Sequence, residues 1–249
     1  MSGHSKWATT KHQKGVKDKA RGKLFAKLIR QVEVAAREGG GDMESNATLR
    51  TMFQKARDSS VPLDTIERAI KRGTGELEGV RYEAVAYEGY APSGVAVIVE
   101  CLTDNRNRTG AEIRAAFSHN GGSMAEPGAV SWQFERKGVV TVPRSVAEDD
   151  LMAIVLDAGA EDLRDEGEMW MLVSDPSSLQ PLRSAIEEAG ISVDSAEIQM
   201  LPTQTVPITT ESAAKKILRL LELFEDHDDV QNVYSNFDIP DDVFEAALT

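Results

Sequence analysis

Residues 87–109 read YEGYAPSGVAVIVECLTDNRNRT, and the order of signals in this stretch decides the fold. Val95-Ala96-Val97-Ile98-Val99 is an unbroken run of five apolar residues. It is far too short to span a bilayer and has the length of a buried strand. With Tyr82 to Tyr87 it makes a pair of strands, Val95 to Cys101 being the second, joined through Glu88 to Gly94, where Gly and Pro favour a turn. Asp104 or Asn105 can then cap a helix through Ile113, Ala116 and Phe117, and Gly121-Gly122 ends it. Two strands in a hairpin feeding a helix predict an α+β unit and not a doubly wound parallel sheet.

Downstream, the same mixture continues. Val130 to Phe134 and Val139 to Val142 read as two strands, separated by Glu135-Arg136-Lys137 and Gly138. A helix near 147–158, a strand at Met169 to Val173, a helix near 178–189 and a strand at Val193 to Met200 follow. Val206-Pro207-Ile208 leads into a helix from Thr210 to about Phe224, with Ile217, Leu218, Leu221 and Phe224 on its apolar face. Val230 to Tyr234 is the last expected strand.

Upstream the period is helical. Leu24, Leu28 and Val32, with Phe25, Ile29 and Ala36, form apolar stripes that stop at Gly39-Gly40-Gly41. Asn46 can cap a second helix carrying Leu49, Met52, Phe53 and Ala56. Pro62 can open a third, with Ile66, Ala69 and Ile70 inward and Arg68, Lys71 and Arg72 outward. Gly73 to Gly79 reads as a linker, so residues 1–79 form a basic arm and a three-helix bundle.

Charge divides the chain at the same place. The whole carries a formal net charge of −13, yet the first thirty residues hold nine Lys or Arg against one acid, Asp18. Residues 1–79 carry a net +6 and residues 80–249 a net −19. Phosphate polymers respond to the number of cations presented locally, so such an arm can bind where the average charge repels. The basic residues Lys6, Lys11, Lys14, Lys17, Lys19, Arg21, Lys23, Lys27 and Arg30 do not fall in one stripe of a straight helix. Gly15 and Gly22 are expected to loosen the segment. Trp7 and His12 could stack on unpaired bases. The competing reading is a basic face that docks on the acidic remainder of the same chain.

Other classes find little support. The hydrophobic fraction of 41% and a mean hydropathy of −0.32 describe a soluble chain with enough apolar residues for several small cores. No apolar segment follows the basic N-terminus, so no secretory signal is expected. The single cysteine, Cys101, fits a reducing cytoplasm. His4, His12, His119 and His227 are scattered, and no zinc spacing, phosphate loop or nucleophile elbow occurs. Neither a metal nor a cofactor is expected, and no catalytic constellation emerges. Asp226-His227-Asp228-Asp229 could hold a cation weakly but lacks the EF-hand spacing.

GHSKW at Gly3 to Trp7, Lys11-His12, RGK at Arg21 to Lys23, GGGD at Gly39 to Asp42, and the stretch Tyr87 to Thr109 together resemble the YebC/PmpR family over the whole chain. The resemblance implies a multidomain α+β fold: an N-terminal three-helix bundle and two α+β domains, the third, ferredoxin-like, inserted in the second. On this sequence the domains would be 1–79, 80–137 plus 206–249, and the insertion 138–205. The chain departs from the family pattern at Met43, at Ala91 and Ser93 in the turn, and in Ser123 to Pro127. Family members are described as probable DNA-binding transcriptional regulators; mitochondrial relatives are translational activators, and bacterial ones are associated with ribosomes.

Arg106 and Arg108 join the arm as candidate contacts. Asp104 to Thr109 are residues that cap helices, but two guanidinium groups in a first helical turn oppose the helix dipole and suit a phosphate or acidic partner. The expectation is a cytoplasmic, non-catalytic protein that binds DNA and regulates transcription, or alternatively an RNA-contacting translation factor on the ribosome. Its partners are then DNA or ribosomal RNA, with the transcription machinery or the ribosome, and no membrane.

Overall fold

Helix α1 takes the stripe first noticed in the sequence and spans Lys19–Gly39. It belongs to a computed structural model that describes residues 19–248, with side chains from Arg21. Gly22 lies inside α1, so helix propensity at this one residue is overridden by its neighbours and the expected loosening there does not occur. Gly40 leaves the helix with φ +84°, a value suited to glycine. Asn46 then ties the two helices together. Its Oδ1 accepts from Leu49 N at 2.9 Å to cap α2 (Ala47–Asp58), and its Nδ2 donates to the carbonyls of Ala35 and Gly40, each at 2.8 Å. Pro62 opens α3 (Leu63–Gly73) as anticipated. Leu28, Val32, Ala36, Leu49, Ile66 and Ala69 form the bundle core. Gly73 is required by the packing, because a Cβ there would lie 2.4 Å from the Glu33 carbonyl oxygen on α1.

Arg72 does not point outward. It turns to Glu33 at 2.9 Å, and the same buried carboxylate accepts from Arg37 at 3.0 Å. A carboxylate that must be buried is compensated here by two guanidinium groups.

The hairpin of β1 (Glu83–Tyr90) and β2 (Ala96–Thr103) is antiparallel, with Tyr87 opposite Val99. Its turn closes with Ala91 N donating to Val95 O at 2.8 Å, and both Ser93 (φ +67°) and Gly94 (φ +78°) adopt left-handed backbone. Helix α4 (Arg106–His119) follows and leads into a short strand, β3 (Ser123–Ala125), that the sequence reading did not include. The sheet is completed by β9 (Val230–Ser235) in the order β3-β1-β2-β9, so the C-terminal strand rejoins the unit begun by β1. Helix α7 (Glu211–Asp226) sets Phe224 against Phe117 of α4, with ring centroids 4.8 Å apart.

Among the described residues this material, 19–130 with Lys215–Val233, is one compact unit; Ser131–Ala214 with 234–248 is the other. In the second unit β4 (Phe134–Pro143), α5 (Glu148–Val155), β5 (Ala160–Asp165), β6 (Met169–Ser174), α6 (Leu179–Glu188) and β7 (Ser195–Pro202) succeed one another. The antiparallel sheet order β5-β6-β4-β7 makes this the ferredoxin-like βαββαβ arrangement. Val140, Val142, Leu151, Trp170, Leu172 and Leu182 fill its core.

Two expected strands prove to be one. Residues 131–133 form a single 3-10 turn and β4 runs unbroken from Phe134 through the charged triplet. Lys137 is paired with Glu161 at 2.8 Å, and Gly138 is needed because a Cβ would meet Ser174 Oγ at 2.6 Å. The remaining small elements are β8 (Val206–Pro207) paired in parallel with β10 (Phe237–Asp238), and α8 (Asp241–Leu248).

Candidate nucleic-acid interface

Of the candidate contacts, Lys6, Trp7, Lys11, His12, Lys14 and Lys17 lie outside the described residues, and Lys19 contributes only its place at the start of α1. The remaining basic side chains of α1 are described, and they divide. Arg21 lies over the Phe25 ring, 5.3 Å from its centroid. Lys23, Lys27 and Arg30, at spacings of four and three, share one face of the helix and are turned inward to the chain itself.

That inward face meets the end of α7. Lys23 Nζ donates to the Asp226 carbonyl at 2.9 Å, and Lys27 Nζ to the Glu225 carbonyl at 2.6 Å. Arg30 donates to the Asp228 carbonyl at 2.9 Å and to Asp229 Oδ1 at 3.0 Å, and its guanidinium covers the Tyr82 ring at 5.0 Å. The last carbonyls of a helix have no acceptor role within it and carry the negative end of its dipole. Cations seated there answer both needs. For these three residues the docking alternative of the sequence reading describes what the structure contains.

Asp229 is the centre of the arrangement. Its side chain is 6% exposed; Oδ1 accepts from Arg30, and Oδ2 accepts from Arg108 and from Thr109 Oγ1, each at 2.7 Å. Burial by itself disfavours the charged carboxylate, but the hydroxyl of Thr109 and the guanidinium groups of Arg108 and Arg30 outweigh it and hold the carboxyl below its ordinary range. The Asp226 to Asp229 segment thus does hold cations, and they are arginines and a lysine of the same chain. His227 Nδ1 accepts from the Asp229 amide at 3.1 Å, leaving Nε2 to face Glu112 at 2.8 Å.

The local fold of the TDNRNRT segment explains why its two arginines part company. Asn105 caps α4, its Oδ1 accepting from Arg108 N at 3.1 Å. Thr103 and Thr109 share a hydroxyl hydrogen bond of 2.7 Å, and Thr103 Oγ1 accepts from Asn105 N at 2.9 Å. Two residues apart on a helix means about 200° of rotation, which is opposite faces. Arg108 therefore reaches Asp229 and Asp104, whose hydrogen bonds raise its affinity for the proton. Arg106 is exposed on the other side, and its carbonyl accepts from Tyr87 Oη at 3.1 Å. Burial pushes the Tyr87 phenol up.

Arg106 borders an open groove of about 600 Å³ along α4, lined also by Tyr87, Asn107, Gly110, Arg114 and Ser118. The sequence reading did not single out Arg114; its place one helical ridge from Arg106 (positions 106, 110 and 114) was the available signal. Tyr90 and Glu88 serve the fold. Tyr90 donates to the Ala129 carbonyl, and the buried Glu88 carboxylate accepts from the amides of Gly128 and Val130 at 2.8 and 2.7 Å. Cys101 is buried in β2, where burial foremost pushes its thiol up to about 12.

Among the described residues no cluster of three or more His, Cys, Asp or Glu side chains could hold a metal ion, and no helix is long and apolar enough to cross a membrane.

A three-helix bundle, a hairpin sheet closed by a C-terminal strand, and a ferredoxin-like unit define a class of α+β protein. Comparison with known proteins identifies it further. Residues 5–76 match the TACO1/YebC protein N-terminal domain, and residues 82–237 match the TACO1/YebC second and third domain. The chain belongs to the TACO1/YebC family. It is 57% identical over 245 residues to a probable transcriptional regulatory protein of Thermobifida fusca, the match covering 98% of each. It is 54% identical over 248 residues to a protein of the same description in Halothermothrix orenii, again covering 98% of each. Among solved structures, a conserved hypothetical protein of Aquifex aeolicus superposes with a TM-score of 0.83 at 45% identity, covering 90% of this chain and 93% of that one.

Proposed function

We propose that this chain is a nucleic-acid-binding regulator of gene expression that works in the cytoplasm by binding and not by catalysis, with DNA as its target and transcription as the process it regulates. One observation carries the reading: nine Lys or Arg against a single acid in the first thirty residues of a chain at −13. Lys23, Lys27 and Arg30 are spent on the chain's own backbone and on Asp229. That leaves six of the nine, Lys6, Lys11, Lys14, Lys17, Lys19 and Arg21, for phosphates. Trp7 and His12 stand among them for base contact, and Arg106 adds a seventh cation on α4. Arg108 supports the site by fixing the start of α4 through Asp229. The names of the relatives, probable transcriptional regulatory proteins, agree with the regulatory part of the proposal. The working division is 1–79, joined by Arg106, for nucleic acid, with the rest of 80–137 plus 206–249 and the insertion 138–205 offering acidic surfaces to basic proteins.

The test is crosslinking in cells followed by sequencing of what is recovered, for the natural chain and for one with Lys11, Lys14, Lys17 and Lys19 reversed to Glu. Enrichment of promoter DNA that the reversed chain loses supports the proposal. Recovery of ribosomal RNA in its place moves the target to the ribosome and the process to translation. Equal recovery by both chains overturns the role of the arm.

A further inference from the structure

The groove along α4 has a composition that the rest of the chain does not prepare. It carries two guanidinium groups, those of Arg106 and Arg114, and no carboxylate among its lining residues, in a chain with thirteen more acids than bases. Of the acids nearby in sequence, Glu112 is turned to His227 and Asp104 is paired with Arg108. Both arginines are exposed, and the ion pairs described for α4 involve Arg108 and Glu112 and not these two. The floor between them is low: Gly110 has the Tyr87 hydroxyl 3.3 Å from where a Cβ would stand, and Ala111 follows. Arg106 and Arg114 are eight residues apart, about 12 Å along the helix axis. That is the axial advance of three to four stacked nucleotides at about 3.4 Å each.

We propose that this groove is a docking site for a single nucleic-acid strand. Arg106 and Arg114 take phosphates of that strand, and the half-buried Tyr87 ring stands between them for a base to stack on. Guanidinium forks suit phosphate in two-point contacts, and base stacking on an aromatic ring tolerates any sequence. The inference rests on the reading of the chain as a nucleic-acid binder and adds a second contact surface, independent of the N-terminal arm. A strand held at both places is bound more tightly than by either, because the second contact is made at high local concentration.

The test uses the full chain and fluorescent oligonucleotides of roughly twenty nucleotides, dT and U, with binding followed by anisotropy as salt is varied. Two phosphate contacts on a single strand contribute about 1.4 to the slope of log affinity against log salt. The variant R106Q/R114Q is therefore expected to lose that much slope and, at about 0.1 M salt, to bind roughly 25-fold more weakly. A second variant, Ala111→Glu, places an acid in the groove at an exposed helical position and should weaken binding with the thermal unfolding curve unchanged. Oligonucleotide binding equal to that of the natural chain in both variants, while the arm reversal abolishes it, overturns the groove and leaves the proposed function standing. No binding of either oligonucleotide by the natural chain overturns the groove, and the proposed function falls with it only if duplex DNA is not bound either. Displacement of the strand by poly-glutamate at equal charge overturns the assignment to nucleic acid and makes the groove a site for acidic protein segments.

Discussion

Removing the carboxylate of Asp229 tests the arrangement on which the candidate interface is built. In Asp229→Ala, Thr109 loses one hydroxyl partner but keeps Thr103 and the Asn105 carbonyl, so that loss sits at the low end, about 1 kcal/mol. Arg30, whose side chain is 22% exposed, loses its carboxylate but retains the carbonyls of Asp228 and Leu102. Breaking a buried pair costs about 3–5 kcal/mol, and the solvent reaching Arg30 lowers this to about 2. The sum is about 3 kcal/mol for the alanine variant and about half that for Asp229→Asn, which keeps shape and one acceptor. With a urea slope of about 2–3 kcal/mol/M, Asp229→Ala should shift the unfolding midpoint down by about 1–1.5 M, read by circular dichroism and by faster hydrogen exchange of the amides at Arg108 to Gly110. The pH dependence has a definite sign. A carboxyl held below its ordinary value stabilises the fold fully above the unfolded pKa of about 3.9, and this stability is lost as pH falls through the folded value. The gap between the natural chain and Asp229→Asn should be constant from neutral pH to about 5 and close in acid below about 4. Midpoints that agree at pH 7, or a gap unchanged at pH 2–3, would refute the reasoning.

Other expectations are more local. With six arm cations on duplex DNA, affinity should fall on the order of 10³-fold between about 50 and 200 mM salt; a log–log slope smaller than about 2 removes the arm from the interface. Ser93→Gly should raise the urea midpoint by the equivalent of about 0.5–1 kcal/mol, since Ser93 holds φ +67° at an exposed turn; a lowered midpoint shows that the serine is preferred there. Cys101, buried with its thiol pushed up to about 12, should react with an aromatic disulfide reagent at pH 8 orders of magnitude more slowly in the native chain than in urea. Rapid native labelling would place the thiol at the surface.

What the sequence made legible was local. Asn46 caps the helix assigned to it, and of the two residues offered for α4 Asn105 is the cap, because a cap is a bond across three residues. Ala96 to Val99 became buried strand because an apolar run of that length has few other places to go. The strand Ala160–Asp165 was missed because AEDLRD shows neither alternation nor an apolar run, and it is held by pairing with β6. The fate of the charges was the least legible. Lys23 and Asp226 are 203 residues apart, and Arg108 and Asp229 are 121 apart, so nothing in either neighbourhood marks them as partners. Arg106 and Arg108 look equivalent in the string NRNR, and only the pitch of α4 separates the one that faces solvent from the one that binds Asp229.

The grip of α1 on residues 225–229 fixes when the molecule can be finished during its own synthesis. Lys27 and Arg30 must wait for carbonyls that lie 198 residues downstream. At about 5–20 residues per second, roughly 10–40 s pass between the emergence of one side and the other. Throughout that interval the nascent chain displays Lys23 and Lys27 without these carbonyls, and Arg30 without Asp229, beside the ribosome's own RNA. A message truncated before the codon for Glu225 would yield a product that lacks these partners for its lifetime.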